Sequence, residues 1–297
     1  MKRRMAALFE GGAEALLLFC AFLSVLAVVF ITFFVFRSGL PLFRHSSLVE
    51  FLFSTDWSPT AEAPHYGVLS FIAGSFYVTI LALLIAVPVG LASAVFLTEL
   101  ASGRMARTVR TAIELLAGIP SVVYGLFGIA LVTSLTRTFF GGTGYSLLSA
   151  SLVLAIMTLP TIINVSEVSL RAVPRELKEA SLALGATHWQ TIVRVLVPAA
   201  RSGIMAGVIL GMGRAIGETM AVLMVGGNAP IMPKGLTEKV RTLTMNIIID
   251  MSYATGDHRT ALFATGIVLF VFILGLNLAV QFILKRSVSD VGGSAHA

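Results

Sequence analysis

Arg214 and Glu218 are charged residues inside a stretch of the sequence that is otherwise apolar and rich in glycine. They are four residues apart, so a continuous helix would place both on one face, where they can form an ion pair. The planar guanidinium of arginine matches the oxygens of a phosphate or a carboxylate two at a time. The spacing therefore predicts one of two things. Either the pair marks an anion path across a membrane, with Glu218 holding the guanidinium while the path is empty, or it is a self-neutralising pair that only fastens two helices.

Glycines in the same stretch are spaced for close helix packing. Gly203, Gly207 and Gly211 follow each other at intervals of four, and Gly213 and Gly217 repeat the interval. Small residues at this spacing form a ridge that a second helix can approach closely. A charge such as Arg214 at the centre of a membrane span costs about 2.5–3.5 kcal/mol on insertion scales. The stretch therefore combines a packing ridge with a charge that is costly to bury.

The second group of residues that could do chemistry is a charged island, Pro174 to Pro198, between two apolar stretches. Good helix formers follow Pro174, Gly185 supplies the positive-φ stop that ends a helix, and Thr187 with Gln190 matches a capping box. We therefore expect a helix, a tight turn and a second helix. The first helix would be about 16 Å long, too short to cross a bilayer. The island is either a solvated cytoplasmic linker or a docking element for another protein.

The composition identifies the class of protein that must position these residues. The chain has 297 residues, of which 57% are apolar and only 12% are charged, and its mean hydropathy is +0.92. Soluble domains carry about twice that share of charge, so the sequence predicts an all-α integral membrane protein surrounded by lipid. The basic residues are scattered along the chain, which argues against a nucleic-acid partner. The single Cys20 and the five histidines lack the spacing of metal ligands, and no Gly-rich ATP-binding loop is present, so no metal or cofactor is expected.

Six apolar stretches approach the roughly 20 residues that a bilayer crossing needs. They cover 15–36, 70–98, 112–135, 146–165, 202–225 and 262–284. With the N-terminus in the cytoplasm, thirteen of the 21 Lys and Arg residues fall in inner segments, seven in outer segments, and Arg214 within a span. Cytoplasmic segments of membrane proteins are enriched in basic residues, so both termini are expected to be cytoplasmic.

The predicted organisation has five parts. They are a cytoplasmic N-terminus, 1–14; a first transmembrane helix, 15–36; an outer segment, 37–69; a five-helix core, 70–284, whose cytoplasmic loop is 174–198; and a cytoplasmic tail, 285–297. The first stretch is longer than the 7–15 residues of a signal peptide's apolar region, so we interpret it as an uncleaved anchor.

Two outer segments, 37–69 and 226–260, exceed ordinary connections. Loops of that size usually serve a function, and these either seal the bundle or bind a partner outside the membrane. Trp57 and Tyr66 in the first of them would suit the membrane interface, where aromatic residues with a polar edge accumulate.

Two kinds of local feature carry their own expectations. Pro88-Val89-Gly90 in the second apolar stretch and Gly118-Ile119-Pro120-Ser121 in the third predict broken or kinked helices, because proline removes a backbone hydrogen bond. Arg110 and Glu114 are four residues apart and are expected to form an ordinary ion pair at the inner end of the span.

Three runs of residues carry a family likeness: Glu114–Gly125, Ala183–Thr187 and Gly213–Val222. They resemble the inner-membrane permeases of the Pst-type phosphate ABC transporter, and the run through Glu218, Thr219 and Met220 is the most specific. Trp57-Ser58-Pro59 with Tyr66-Gly67 is similar to the PstC subunit, where the PstA partner differs. The likeness covers about residues 50–284.

The charged island carries a likeness of its own. Glu179-Ala180-Ser181, followed by Gly185-Ala186, resembles the EAA loop of ABC-transporter permeases, with Ser181 in place of the second alanine. In that family the loop forms a short helix that enters a groove on the ATPase subunit.

The resemblance implies a PstC-like permease of the ABC importer type I architecture, with six transmembrane helices, in the bacterial cytoplasmic (inner) membrane. It implies three kinds of partner: a PstA-like permease, an ATPase subunit dimer that hydrolyses the ATP, and an extracytoplasmic phosphate-binding protein. By position, the substrate path would contain Arg214, Glu218 and Thr219, and the ATPase contact would contain Glu179, Ala180, Ser181, Gly185 and Ala186.

Other functions remain open from the residues alone. They are a secondary anion transporter, a permease for another tetrahedral oxyanion, and a membrane sensor or scaffold that transports nothing. No inverted repeat is obvious, and a secondary transporter would have no use for the charged island, so both features disfavour that alternative.

Overall fold

The computed structural model describes the backbone of residues 2–292 and the side chains of residues 13–282; Met1 and residues 293–297 of the predicted tail lie outside it. The helices are α1 Lys2–Gly39, α2 Leu48–Phe53, α3 Leu69–Val95, α4 Gly103–Gly118, α5 Ser121–Phe127, α6 Thr133–Phe140, α7 Leu147–Arg171, α8 Arg175–Ala183, α9 His188–Thr191, α10 Val197–Ala199, α11 Arg201–Gly217, α12 Met220–Val225, α13 Leu243–Met251 and α14 Gly256–Gly292. A 3₁₀ turn, Leu40–Arg44, follows α1, and two short strands, β1 Trp57–Ser58 and β2 His65–Tyr66, pair antiparallel. The predicted all-α class is therefore confirmed.

Five helical segments of the described chain are long and apolar enough to cross a membrane: Ala13–Arg44, Leu69–Leu100, Ser121–Phe140, Leu147–Arg171 and Gly256–Phe282. A bent pair of helices, His188–Ala199 with Arg201–Gly217, makes a sixth candidate when the two are taken as one span; it turns by 69° at its break. The third span differs from its predicted position, 112–135, because the chain is extended at Ile119 and Pro120 and starts a new helix at Ser121. Proline disfavours the helical conformation of the residue before it, so the break predicted at Pro120 is confirmed and α4 is a separate helix. At Pro88 the chain does not break: this proline lies inside the continuous helix α3.

Three π-helical turns interrupt the α-helical hydrogen bonding. Phe96–Leu100 follows α3, Gly128–Val132 joins α5 to α6, and Ile192–Leu196 lies between α9 and α10. Each such turn inserts an extra residue into a helix, and such turns are frequent at functional sites.

The helix α7 lies at the centre of the bundle and packs against both α3 and α11. An added Cβ on Gly203, Gly207 or Gly211 of α11 would approach Ser169, Val165 and Ile162 of α7 within 2.0, 3.1 and 2.8 Å, respectively. On α3, Gly90 would approach the same Ile162 within 2.8 Å. The first half of the predicted glycine ridge, Gly203 to Gly211, is therefore confirmed. It lets the backbone of α11 approach the side chains of α7 closely, and Ile162 lies between Gly211 and Gly90.

The two outer segments pack on each other around a buried carboxylate. Asp250 of α13 accepts hydrogen bonds from Trp57 Nε1 (2.9 Å) and from the Tyr253 hydroxyl (2.7 Å). Arg241 forms an ion pair with the same carboxylate, and His258 Nε2 lies 3.2 Å from it. Trp57 is only 7% exposed, so its predicted place at the membrane interface is wrong. Its indole is buried between the two outer segments because it donates to Asp250. We call these five residues the outer cluster.

The orientation of the bundle stays a prediction, and it can be tested by labelling. Because inner segments hold most of the basic residues, Glu62→Cys should react with a membrane-impermeant thiol reagent in intact cells, whereas Glu176→Cys should react only after permeabilisation. Both glutamates are exposed, and Cys20 would be replaced by serine in both variants. Labelling of Glu176→Cys in intact cells would reverse the assigned orientation.

Candidate functional site

Arg214 lies near the end of α11, where it is half-buried against α7. Its Nη1 donates to the hydroxyl of Thr161 at 3.4 Å, the longest range of a hydrogen bond. Arg214 takes part in none of the ion pairs between described residues, so no carboxylate among them is its partner. A guanidinium has five N–H donors, so most of its hydrogen-bonding capacity is left for another acceptor.

The predicted ion pair between Arg214 and Glu218 is wrong, because the helix ends between them. The helix α11 stops at Gly217, and Glu218 has extended backbone angles, φ −69° and ψ 132°. Its carboxylate Oε1 instead accepts the backbone N–H of Ala221 at 2.9 Å, and its carbonyl accepts the Thr244 hydroxyl at 3.0 Å. A carboxylate that caps the first turn of the next helix satisfies otherwise unpaired N–H groups. Glu218 therefore stabilises a break between α11 and α12, which falls inside the predicted span 202–225 and is separate from the 69° bend before Arg201.

Thr219 lies at the break itself, directly before α12, and donates its hydroxyl to the carbonyl of Gly217 at 3.3 Å. Gly213 and Gly217 border the same region: an added Cβ on either residue would meet no atom within 4 Å. Within the described part of this chain, no helix packs on the second half of the predicted ridge, so its packing role stays a prediction. The last turn of α11 instead has open space on the side of these two glycines, next to Arg214.

The third span, Ser121–Phe140, packs against α12. An added Cβ on Gly125 of α5 would meet Met224 of α12, and one on Gly128 would approach Val225 within 2.7 Å. The start of the third span and α12 thus fit together through glycines. Breaks in membrane helices are tolerated where the backbone is buried in protein or lines a polar cavity.

The charged island folds as predicted into two helices with a tight turn between them. Gly185 has φ +84°, in the region that favours glycine. The capping box is present: Thr187 Oγ1 accepts from the N–H of Gln190 at 3.2 Å, and Gln190 Oε1 accepts from the N–H of Thr187 at 2.9 Å. A hydroxyl pair, Ser181 with Thr191 at 3.0 Å, holds the two helices together.

The outward face of the island carries apolar side chains. Leu184 is 89% exposed and Trp189 is 64% exposed. Glu179 and Ala180 are also exposed, and Ala186 is half-buried. Large apolar residues displayed beside charged ones on a helical hairpin are typical of a protein-binding surface.

The inner end of the bundle contains ion pairs that the sequence did not predict. Arg110 pairs with Glu167 of α7, and Arg171 pairs with the same carboxylate at 3.0 Å, so the predicted pair of Arg110 with Glu114 is wrong. Lys178 of α8 pairs with Glu99 at 2.6 Å. The partners of Arg110 and Lys178 are 57 and 79 residues away in the sequence, beyond the reach of helical spacing rules.

The sequence also failed to predict Thr161 as a partner of Arg214. A single threonine near the end of the apolar stretch 146–165 gives no local signal. The break at Glu218 did leave a signal. Glu218 and Thr219 are residue types that stabilise the first turn of a helix, which can mark a new helix start within an apolar stretch.

The sequence of this chain matches a known protein family and several known proteins. Residues 86–289 match the family described as the inner membrane component of binding-protein-dependent transport systems. The chain is 43% identical over 272 residues to the probable ABC transporter permease protein YqgH of Bacillus subtilis (strain 168), covering 90% of this chain and 88% of that protein. It is 38% identical over 258 residues to the phosphate transport system permease protein PstC of Xylella fastidiosa (strain 9a5c), covering 80% and 79%.

A solved structure shares the fold. The crystal structure of a bacterial alginate ABC transporter, in complex with its alginate pentasaccharide-bound periplasmic protein, contains a chain that superposes with a TM-score of 0.59 at 17% sequence identity, covering 91% of this chain and 94% of that one. An identity this low carries the architecture alone.

Proposed function

This chain belongs to the inner-membrane components of binding-protein-dependent transport systems, and from that membership we propose that Arg214 lines a path for inorganic phosphate. The chain is a multi-pass permease subunit of an ABC phosphate importer in the inner membrane, and ATP hydrolysis belongs to a separate chain. Its partners include that ATPase and a substrate-binding protein.

The observation that carries the proposal is the incomplete hydrogen bonding of Arg214. Its guanidinium has one long bond to Thr161 and no carboxylate partner among the described residues. A phosphate offers several oxygens in the geometry that a guanidinium fork binds in pairs, and its charge would offset the cost of the arginine in the membrane. The open space beside Gly213 and Gly217 gives an anion room to reach it.

Glu218 has a different role from the one its spacing suggests. By binding the backbone of Ala221, its carboxylate is kept at the start of α12 instead of across from Arg214. A negative charge facing the guanidinium would compete with phosphate and repel it, so a capped Glu218 leaves the positive fork available. We propose that Glu218 and Thr219 hold the break in the span, and that this break keeps Arg214 open toward the path.

The island provides the contact with the ATPase in this proposal. Glu179, Ala180 and Ser181 lie on α8, and Gly185 and Ala186 form the turn that presents it. We further propose that a second, PstA-like permease completes the path, because no atom of this chain lies within 4 Å of an added Cβ on Gly213 or Gly217.

The turn at Gly185 gives a direct prediction about this contact. Gly185→Val should strongly reduce both transport and ATPase association, because a β-branched residue at positive φ costs about 1–3 kcal/mol of backbone strain. The added side chain itself would meet nothing within 4 Å, so the effect would come from the backbone alone. Gly185→Asn is the matched control: asparagine tolerates this conformation and should keep transport. Full uptake by Gly185→Val would contradict a coupling role for the island.

The proposed function is tested by reconstitution. Vesicles containing the complete complex should take up labelled phosphate only when ATP and the ATPase are supplied, and arsenate should compete if the path recognises any tetrahedral oxyanion. Uptake without the ATPase, driven by an ion gradient, would identify a secondary transporter. An absence of any uptake by the intact complex would contradict the transport function itself.

A further inference from the structure

The inner end of α3 meets the island helix α8 through one ion pair. Lys178 Nζ lies 2.6 Å from Glu99 Oε2, and the side chain of Glu99 is only 12% exposed. Glu99 belongs to the π-helical turn Phe96–Leu100 that ends α3. Charges that are partly shielded from water are screened less by salt than fully exposed ones, so this contact differs from an ordinary surface pair.

Besides this ion pair, α8 is joined to α7 through residues 172–174 and lies against the π-helical turn Ile192–Leu196. None of the residues of α8 is buried, and a cavity of about 450 Å³ lies between α8 and the inner ends of α3 and α7. Among the described residues, its side chains make two hydrogen bonds, and the second, Ser181 to Thr191, stays within the island. Lys178 and Glu99 thus form the direct polar contact of α8 with the end of α3, beside the apolar packing of Ile192 and Leu196 on Ala94 and Val95.

The helix α3 connects this contact with the candidate path and with the outer side. Gly90 packs against Ile162 of α7, and the residue before it, Thr161, accepts the hydrogen bond from Arg214. At the outer end, Ser75 accepts the N–H of Leu243, the first residue of α13, at 2.9 Å. A displacement of α3 would thus be felt beside Arg214 and at the outer segments, since packed interiors transmit strain.

We propose that the Lys178–Glu99 ion pair is the mechanical link by which ATPase movement at the island is transmitted to α3, with both residues acting as positioning residues for transport. The inference rests on the proposed function as an ATP-driven importer. It goes further in assigning transmission to one named contact between α8 and the end of α3.

The test uses the complete complex in vesicles and measures phosphate imported per ATP hydrolysed, together with the amount of ATPase that co-purifies. Lys178→Glu and Glu99→Lys should each lower that ratio about tenfold, because two like charges would then face each other in a partly buried position. The double swap should return the ratio to within about twofold of the wild-type value, since it restores the pair in reverse. Arg107→Glu is the control: Arg107 is exposed on α4, makes no ion pair among the described residues, and should leave the ratio unchanged.

The outcomes separate the link from the function on which it rests. Single reversals that keep the wild-type ratio, or a double swap no better than the singles, would overturn the link even if the wild-type complex imports phosphate. A wild-type complex that imports no phosphate would overturn the proposed function instead. Where a single reversal fails to assemble, recovery of assembly and import in the double swap supports the link, and continued loss overturns it.

Discussion

Replacing Arg214 by glutamine is expected to lower phosphate uptake at least about a hundredfold while the amount of assembled complex stays near normal. The loss follows because a charge-assisted, bidentate contact of this kind contributes roughly 3 kcal/mol or more when water is excluded. Assembly should survive because Arg214 makes one long hydrogen bond and no ion pair among the described residues. Vesicle uptake, measured beside the yield of intact complex, checks both parts.

Companion variants distinguish a path from a structural clip. Arg214→Lys should also be impaired, because a point charge cannot make two parallel hydrogen bonds. The double variant Arg214→Gln with Glu218→Gln should take up no more phosphate than Arg214→Gln alone, since the two side chains are not partners in the structure. Arg137→Gln, at an exposed arginine on α6, is the matched control and should transport normally. Recovery of uptake in the double variant would restore the clip as the better explanation.

Asp250→Ala is expected to have the second large effect, on stability. It would leave Arg241 in a site where that side chain is only 7% exposed, and removal of one partner from a buried pair costs about 3–5 kcal/mol. The outer segments should become sensitive to protease, and the yield of intact complex should fall. Asp257→Ala, at an exposed aspartate in the first turn of α14, should change little. Wild-type protease resistance of Asp250→Ala would show that the outer cluster does not hold the segments together.

The outer cluster also gives a prediction about pH. Burial alone would raise the pKa of Asp250, but hydrogen bonds from Tyr253 and Trp57 and the charge of Arg241 together hold the pKa below its ordinary value. A carboxylate with a lowered pKa contributes stability that is present above its unfolded pKa and is lost only as pH falls through the lower, folded value. Titration of Asp250 should therefore cause no loss of protease resistance in the outer segments from about pH 8 to pH 5, because the unfolded pKa of Asp is about 3.9. A fall within that range that is absent from Asp250→Asn would contradict the lowered pKa of Asp250.

The sequence predicted the features that depend on neighbouring residues. Apolar length identified the spans, Gly185 and Thr187 defined the island, and Pro120 marked a break, because each of these rules acts within one or two helical turns. The PstC-like identity was confirmed, since it rested on runs of adjacent residues.

The errors share a physical cause. Spacing rules assume a continuous helix and a local partner, but Glu218 caps a new helix, and Arg110 pairs with a residue 57 positions away. Trp57 is buried because its indole binds Asp250, 193 residues later. Competition between a local rule and a distant contact is decided by packing, which a single sequence does not display.

The π-helical turn Gly128–Val132 sets how lengths can vary between related chains. It holds one residue more than the α-helix around it requires, so it is a natural place for a one-residue gap in an alignment. Deleting that residue would close the wide turn into an ordinary α-helical turn and leave both α5 and α6 in place. Thr133 and Thr136 would then stay buried. A homologue with such a gap should therefore keep the same polar and apolar positions along α6, and aligning it without the gap would misassign each of them.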